Sequence, residues 1–524
     1  MSRFSNTSGT IRMVLLGACI FLESAACSGT TSSFDGGMVV KNGDPARLPL
    51  GAAASGGAQN VRLFVSSKAG DRMAEKPELR WGIPAPGADG TFTVDESITF
   101  QRIDGFGASF LEAGLICINS LPAEKGEDVL RALFDPETGA GFTAMKTVIA
   151  GTDFMSAGPW YTYADEPGDV KMEKFSIARD LGPNGLVTFI KRARRYGKFM
   201  LQAPMDYPPD WMLTEVNDRR RQDVDPKYFD ALALYYLRYL REYEKQGIAI
   251  DYLSLFNEPG IYTKIPYDKI RILIRDHVGP LFKREGVKTK IQLSEACTRV
   301  EAAERYPTVL DDPGARAFVA CIPYHGYDLK NFDKIRRLHE RYPDLPLWMT
   351  EICHAYQAGT PKSMPLPRLD FEDGDFWGAQ IVSDLEAGAS AWIYWNMVLD
   401  QDGGPCLVSE VHGNPPNNVQ HPVVVIDRKT GKVTYTGLYW YLAHFSRFVR
   451  PGSVRVATAG SIPGVRCIAF RREDGTVVVQ LLNRSDQARR VVVAGKTSAV
   501  EVSLPAISIS TCMWKSGAPA ERQK

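Results

Sequence analysis

The sequence predicts an α/β protein, a (β/α)₈ TIM barrel with a small side β-sandwich built from strands at both ends of the chain. Three observations carry this. Between residues 101 and 450, eight short apolar runs alternate with helical patterns, the signature of a barrel of strand–helix units. Two of those runs end alike, each delivering a glutamate where the apolar stretch gives way to a loop. From Val454 the hydrophobic period falls to two, as in an antiparallel sheet.

Taken in order, residues 1–27 read as a bacterial-type export signal. Arg3 and Arg12 precede an apolar run over 13–22 that is too short to span a bilayer, and small residues lead to Cys27. Ser24-Ala-Ala-Cys27 resembles a lipobox, which makes Cys27 the candidate lipidation site and a lipid anchor to the membrane; Leu16-Gly-Ala-Cys19 competes, with less apolar run before it. The expectation is an exported chain, periplasmic, outer-membrane-anchored or extracellular. Residues 28–60, rich in Gly, Ser, Thr and Ala, read as a flexible linker. Residues 61–100 supply N-terminal strands of the sandwich, broken by a Pro/Gly-rich segment over 81–90.

The barrel occupies 101–450. Its strand candidates are 105–109, 144–150, 199–204, 252–257, 290–294, 318–325, 347–350 and 390–395, with helical patterns near 123–134, 186–197, 227–246, 267–285, 331–342, 374–387 and 436–449. The clearest helix runs over 227–246, where Phe229, Leu232, Tyr236, Leu240 and Tyr243 form one apolar stripe opposite Arg238, Arg241 and Glu242. The fifth unit is the faintest, a weak pattern around 299–306. Residues 451–515 form the C-terminal part of the sandwich, with a hairpin signal at Glu473-Asp-Gly475, and 516–524 are a tail.

Composition excludes several classes. The 62 basic and 61 acidic residues nearly cancel, leaving no basic stripe for nucleic acid. Nine cysteines, seven of them after Cys27, are scattered without a Cys-x-x-Cys pair, so neither a zinc site nor a disulfide framework is indicated. There is no His-Glu-x-x-His and no complete dinucleotide loop at Gly105-Phe-Gly107; the expectation is no metal and no cofactor.

The chemistry lies in the two glutamates. Tyr252-Leu-Ser-Leu-Phe256 ends in Asn257-Glu-Pro-Gly260, and Leu345-Pro-Leu-Trp-Met-Thr350 ends in Glu351. One Asn-Glu-Pro is more often a solvated turn. Two glutamates 93 residues apart are separated by three strand–helix repeats of roughly 30 residues, and so share the face of the barrel where catalytic residues gather. Two carboxyls converging there suit glycoside hydrolysis, one as acid/base and one as nucleophile. Glu295 is a rival carboxylate at a strand end, read as supporting rather than reacting. His325 and His354 are read as hydrogen-bonded walls.

These residues carry a resemblance. Ile103-Asp-Gly-Phe-Gly-Ala-Ser-Phe110, Gly151-Thr-Asp-Phe154, Phe256-Asn-Glu-Pro259, Trp348-Met-Thr-Glu351, Tyr394-Trp-Asn396, Gly403-Gly-Pro405, Pro422-Val-Val-Val-Ile-Asp427 and His444-Phe-Ser-Arg-Phe448 are similar to glycoside hydrolase family 30, which includes glucosylceramidases. The resemblance implies a retaining β-glycosidase with Glu258 as acid/base and Glu351 as nucleophile. It implies that Asn257 meets the sugar 2-OH, that Asp153 binds sugar hydroxyls, and that Trp211 and Trp395 line the first subsite, with Tyr327, Asn396 and Asn417 as further walls. The substrate would be a β-linked oligosaccharide, polysaccharide or glycolipid. Three departures fall in the sugar pocket. Lys146 stands where the family usually has Arg, Met205 replaces a Trp in a run one residue longer, and Gly326 stands where glucosylceramidases place an aromatic. A β-glucosidase, glucosylceramidase, β-1,6-glucanase, β-xylosidase or β-fucosidase would share this core. The alternative is a non-catalytic carbohydrate-binding protein on the same scaffold, against which stands the retention of both glutamates and Asn257.

Overall fold

The computed structural model describes residues 60–82, 86–155, 160–215, 222–357, 370–405, 418–496 and 498–516. Cys27, Asn417, the export signal and nearly all of the linker lie outside them.

Eight parallel strands close into a barrel: β1 Gly105–Ser109, β2 Ala144–Lys146, β3 Met200–Ala203, β4 Tyr252–Ser254, β5 Lys290–Gln292, β6 Val319–His325, β7 Leu347–Glu351 and β8 Ala389–Asn396. Each pairs with its neighbour in sequence, and β8 closes the ring on β1 through Ala391 opposite Gly105 and Ile393 opposite Gly107. Gly107 is needed there. A Cβ on it would sit 2.1 Å from the Ala144 carbonyl oxygen, so a side chain would push β1 off β2.

Alternation along the strands separates a plug from a site. Ala144, Tyr252, Cys321, Trp348, Ala391 and Ile393 pack into one buried cluster, with the Tyr252 and Trp348 rings 4.5 Å apart. Two residues further along the same faces stand Lys146, Ser254, Thr350 and Trp395, with His325 four residues beyond Cys321. The barrel interior thus changes from apolar to charged as the strands run toward their C-terminal ends. Lys146 is held there at 0% exposure.

The helices match the sequence patterns within a few residues, the longest being Phe229–Lys245. The expected segment 267–285 is helical from Tyr267 to Arg284, but Leu273–Val278 takes the wider π form between two α-helical pieces. The faint fifth unit is real: Arg299–Arg305 is capped by Thr298, whose hydroxyl accepts from the Glu301 N–H. The helix Glu112–Asn119 carries no periodic signal because it is buried on nearly every side, and the single-turn helices Pro307–Leu310 and Pro313–Arg316 are too short to show one.

The sandwich is a nine-stranded sheet in which Val61–Ser67 and Gly90–Arg102 lie among strands from the C-terminal region. The hairpin turns at Gly475, whose φ of 76° suits glycine, joining the paired strands Val465–Arg471 and Thr476–Asn483. The helix Gly437–Phe448 ties this sheet to the barrel. Phe445 packs on Phe106 of β1, Phe448 on Phe64 of the sheet, and Ser446 donates to the Ala140 carbonyl. His444, on the same helix, bonds two neighbouring strands of the sheet, with Nδ1 2.6 Å from the Thr511 hydroxyl and Nε2 3.0 Å from that of Ser66.

Candidate functional site

The mouth of the barrel gathers its charges around one lysine. Lys146, at the end of β2, donates all three of its N–H bonds: to Glu351 Oε2 at 2.6 Å, Glu295 Oε2 at 2.9 Å and Asn257 Oδ1 at 3.2 Å. Its ammonium also lies 5.0 Å from the centre of the Trp395 ring. Burial alone would lower its pKa; the Glu295 and Glu351 charges reverse that and raise it. An ammonium only donates, so the Asn257 amide must turn its oxygen toward Lys146 and present its NH₂ elsewhere.

Glu351 ends β7 and is held on both oxygens, Oε2 by Lys146 and Oε1 by the Tyr327 hydroxyl at 2.8 Å. Glu258 follows β4 with φ of +43°, a left-handed conformation that a residue before proline normally avoids. Such backbone strain costs of order 1–3 kcal/mol and clusters at working sites. The surroundings that hold it include the Glu258 N–H donating to the Glu295 carbonyl at 2.8 Å. Polar atoms of Glu258, His325 and Glu351 all lie within 4.8 Å of one another. Both glutamates are about 95% buried, at 4% and 5% exposure.

His325, at the end of β6, bridges two carboxylates: Nδ1 is 2.8 Å from Glu258 Oε1 and Nε2 2.8 Å from Glu295 Oε2. Burial would lower its pKa, but the carboxylates around it, Glu351 foremost, raise it to about 9. Asp153 is pushed up to about 8 by burial and by the charges of Glu351 and Glu258. A carboxyl in that range is protonated at neutral pH and can both donate and accept.

Of the residues singled out in the sequence, Glu258, Glu351, Asn257, Tyr327 and Trp395 are joined by these contacts, and Asp153 lies within the field of both glutamates. Trp211 and Asn396 make contacts of their own, and the Gln420 oxygen that Asn396 bonds also accepts from Cys353, whose sulfur lies 3.6 Å from the Tyr327 hydroxyl. The Trp211 indole donates to the Ala164 carbonyl and packs against Tyr228; the Asn396 amide donates to Gln420 Oε1 at 2.6 Å. His354 packs against Phe376 and Trp377, but its buried ring nitrogens make no hydrogen bond among the described residues, so the hydrogen-bonded role expected of it is not what the structure has. A Cβ added at Gly326 would sit 2.7 Å from Ile352 Cδ1 and 3.1 Å from Arg299 Nη2, so a side chain there would require those side-chain ends to shift.

One residue escaped the sequence reading. Asp206 is buried beside this site, and its Oδ1 has no hydrogen-bond partner. Burial and then the Asp153 charge raise its pKa well above the carboxylate range. The only signal was its place in the run where Met205 already departs from the family pattern.

Comparison with known proteins agrees with the fold. Residues 103–449 match the glycosyl hydrolase family 30 TIM-barrel domain and residues 452–512 the family 30 beta sandwich domain. The chain is 27% identical over 449 residues to an endo-1,6-beta-D-glucanase of Neurospora crassa, covering 80% of this chain and 87% of that one. It is 26% identical over 476 residues to the lysosomal acid glucosylceramidase of Mus musculus, covering 86% and 88%. Among solved structures, SrfJ from Salmonella typhimurium superposes with a TM-score of 0.77 at 21% identity, over 87% of this chain and all of that one.

Proposed function

The chain belongs to glycosyl hydrolase family 30, and from that premise we propose that it is an exported retaining β-glycosidase that cleaves β-linked glucosyl substrates by double displacement. The observation that carries the mechanism is the closeness of two glutamates, with oxygens of Glu258 and Glu351 no more than 4.8 Å apart. Retaining enzymes hold their carboxyls about 5–5.5 Å apart, whereas inverting ones leave about 6.5–9.5 Å for a water.

Glu351 attacks the anomeric carbon as the glycosidic bond breaks, and Glu258 gives its proton to the departing oxygen. In the second step Glu258 takes a proton from water, whose oxygen displaces Glu351 from the anomeric carbon; both glutamates return to their starting states. Lys146 and Tyr327 hold the Glu351 oxygens, so the nucleophile meets the sugar in one orientation. The Asn257 NH₂, freed by its oxygen's bond to Lys146, is the donor suited to the sugar 2-OH. Asp153 and Trp395 are the hydroxyl partner and the ring wall of the same subsite. The named activities of the mouse and Neurospora relatives support a glucosyl unit.

The test is hydrolysis of a panel of aryl β-glycosides (glucoside, galactoside, xyloside and fucoside), together with a β-1,6-glucan and glucosylceramide, by the purified chain beside Glu351→Gln. Turnover of the glucoside or glucan, lost in the variant, is the expected result. Binding of glycans without turnover of any would favour the carbohydrate-binding alternative.

A further inference from the structure

We propose that Glu295 is a positioning residue of this site: its carboxylate fixes the proton of His325 on Nε2, so that Nδ1 faces Glu258 and the two share the acid proton. The chemistry rests on the glycosidase reading above; the geometry does not.

Glu295 follows β5 and laces it to the end of β4. Its N–H donates to the Phe256 carbonyl and its own carbonyl accepts from the Glu258 N–H, both at 2.8 Å. The side chain is 0% exposed. Its Oε2 accepts from three groups, Lys146 Nζ at 2.9 Å, His325 Nε2 at 2.8 Å and the Thr350 hydroxyl at 3.1 Å. Oε1 is buried without a partner. A proton on Oε1 would find no acceptor, while three donors on Oε2 favour the anion. Burial opposes that charge, but Lys146 and His325 outweigh it and hold the carboxyl at about 2. Tyr306 and Cys321 are the other titratable groups near it, and both are neutral, their pKa values raised by burial.

An anion only accepts, so His325 must carry a hydrogen on Nε2. The opposite neutral tautomer would set a lone pair against the Glu295 charge. Nδ1 then lies 2.8 Å from Glu258 Oε1, with room for one proton between them. That proton sits either on the ring, donating to the Glu258 carboxylate, or on Glu258, donating to the ring. The groups facing His325 keep it in the pair. Glu258 and Glu295 bond it, Glu351 Oε2 stands 3.8 Å from Nε2, Glu301 faces it from the helix after β5, and the Tyr327 ring packs at 5.9 Å. Lys146 alone opposes them. Delivering the proton to a glycosidic oxygen then requires only a shift along one short hydrogen bond.

Glu295→Gln removes the charge and keeps the shape. With a phenyl β-glycoside, whose departure needs an acid, the basic limb of kcat/KM should move to lower pH by at least about one unit. With a 2,4-dinitrophenyl glycoside, which leaves unaided, the loss at neutral pH should be about tenfold smaller. A basic limb within about 0.3 unit of the wild type, or equal losses on both substrates, would overturn the proposal. A second measurement needs neither activity nor the Glu295→Gln variant. In histidine-selective ¹⁵N spectra of the unsubstituted chain, with seven histidines and His325 assigned through His325→Gln, Nε2 of His325 should stay protonated as pH rises through neutrality. An unprotonated Nε2 would overturn the assignment. Were the chain no glycosidase, the panel above would be silent while this signature remained.

Discussion

Two histidines in this chain are equally buried and behave in opposite ways. His444, between barrel and sandwich, meets only hydroxyls, those of Thr511 and Ser66. Burial, with the Arg447 charge behind it, lowers its pKa to about 3. His325, at the barrel mouth, meets the carboxylates of Glu258 and Glu295 with Glu351 close by, and its pKa rises to about 9 despite the same burial. Depth in the protein therefore does not decide the charge; the partners do. One histidine is a neutral rivet between two domains, the other part of a charged cluster that can hold and move a proton.

The comparison can be broken by removing its parts, starting with the largest effect. Glu351→Gln takes away the strongest field on His325 as well as the nucleophile. Turnover should fall by about 10⁴-fold or more with the fold intact by circular dichroism, and the His325 titration should move down. Near wild-type rates would refute the nucleophile assignment. Glu258→Gln should cost about 10²–10⁴-fold on phenyl glycosides and far less on dinitrophenyl ones, read from kcat/KM on the two substrates. Lys146→Met removes the cation that the buried Glu295 and Glu351 share and should destabilise the chain by about 3–5 kcal/mol in a denaturant titration.

Smaller effects sharpen the contrast. His444→Gln should lower stability by about 1–3 kcal/mol while leaving the pH profile of kcat/KM where it was; a shifted profile would show that the rivet is coupled to the site. The two histidines also bend stability in opposite directions with pH. His444 stays neutral in the native chain but takes up a proton in the unfolded one below about 6.5. Its contribution to stability is therefore lost as pH falls from 6.5 toward 3, at up to about 1.4 kcal/mol per unit. His325 binds its proton more tightly when folded, so its contribution is complete below 6.5 and is lost as pH rises through about 9. Unfolding of the wild type and of each His→Gln variant at pH 4, 7 and 9 separates the two slopes.

Much of this was legible in the sequence because it was written locally. Each barrel strand is a short apolar run ended by a polar or turn residue, and Glu258 and Glu351 are visible as the residues that follow β4 and end β7. Several strands are shorter than their runs, 252–254 rather than 252–257 for β4, where the last residues bring Asn257 and Glu258 into the mouth, while β7 and β8 run slightly longer than theirs. What escaped was written across the fold. Glu295 gains its meaning from Lys146, His325 and Thr350, which come from three other strands, and no periodicity within β5 announces them. Asp206 hides in a run where the family pattern breaks. Glu112–Asn119 is buried on too many sides to have a polar face.

The most direct test of the two-glutamate account is to trap its intermediate. A 2-deoxy-2-fluoro-β-glucoside with a good leaving group should inactivate the chain with time, and peptide mapping by mass spectrometry should find one fluoroglucosyl group, on Glu351. A label on Glu258 or Glu295, or steady turnover of the natural substrate with no trapped ester, would contradict the account.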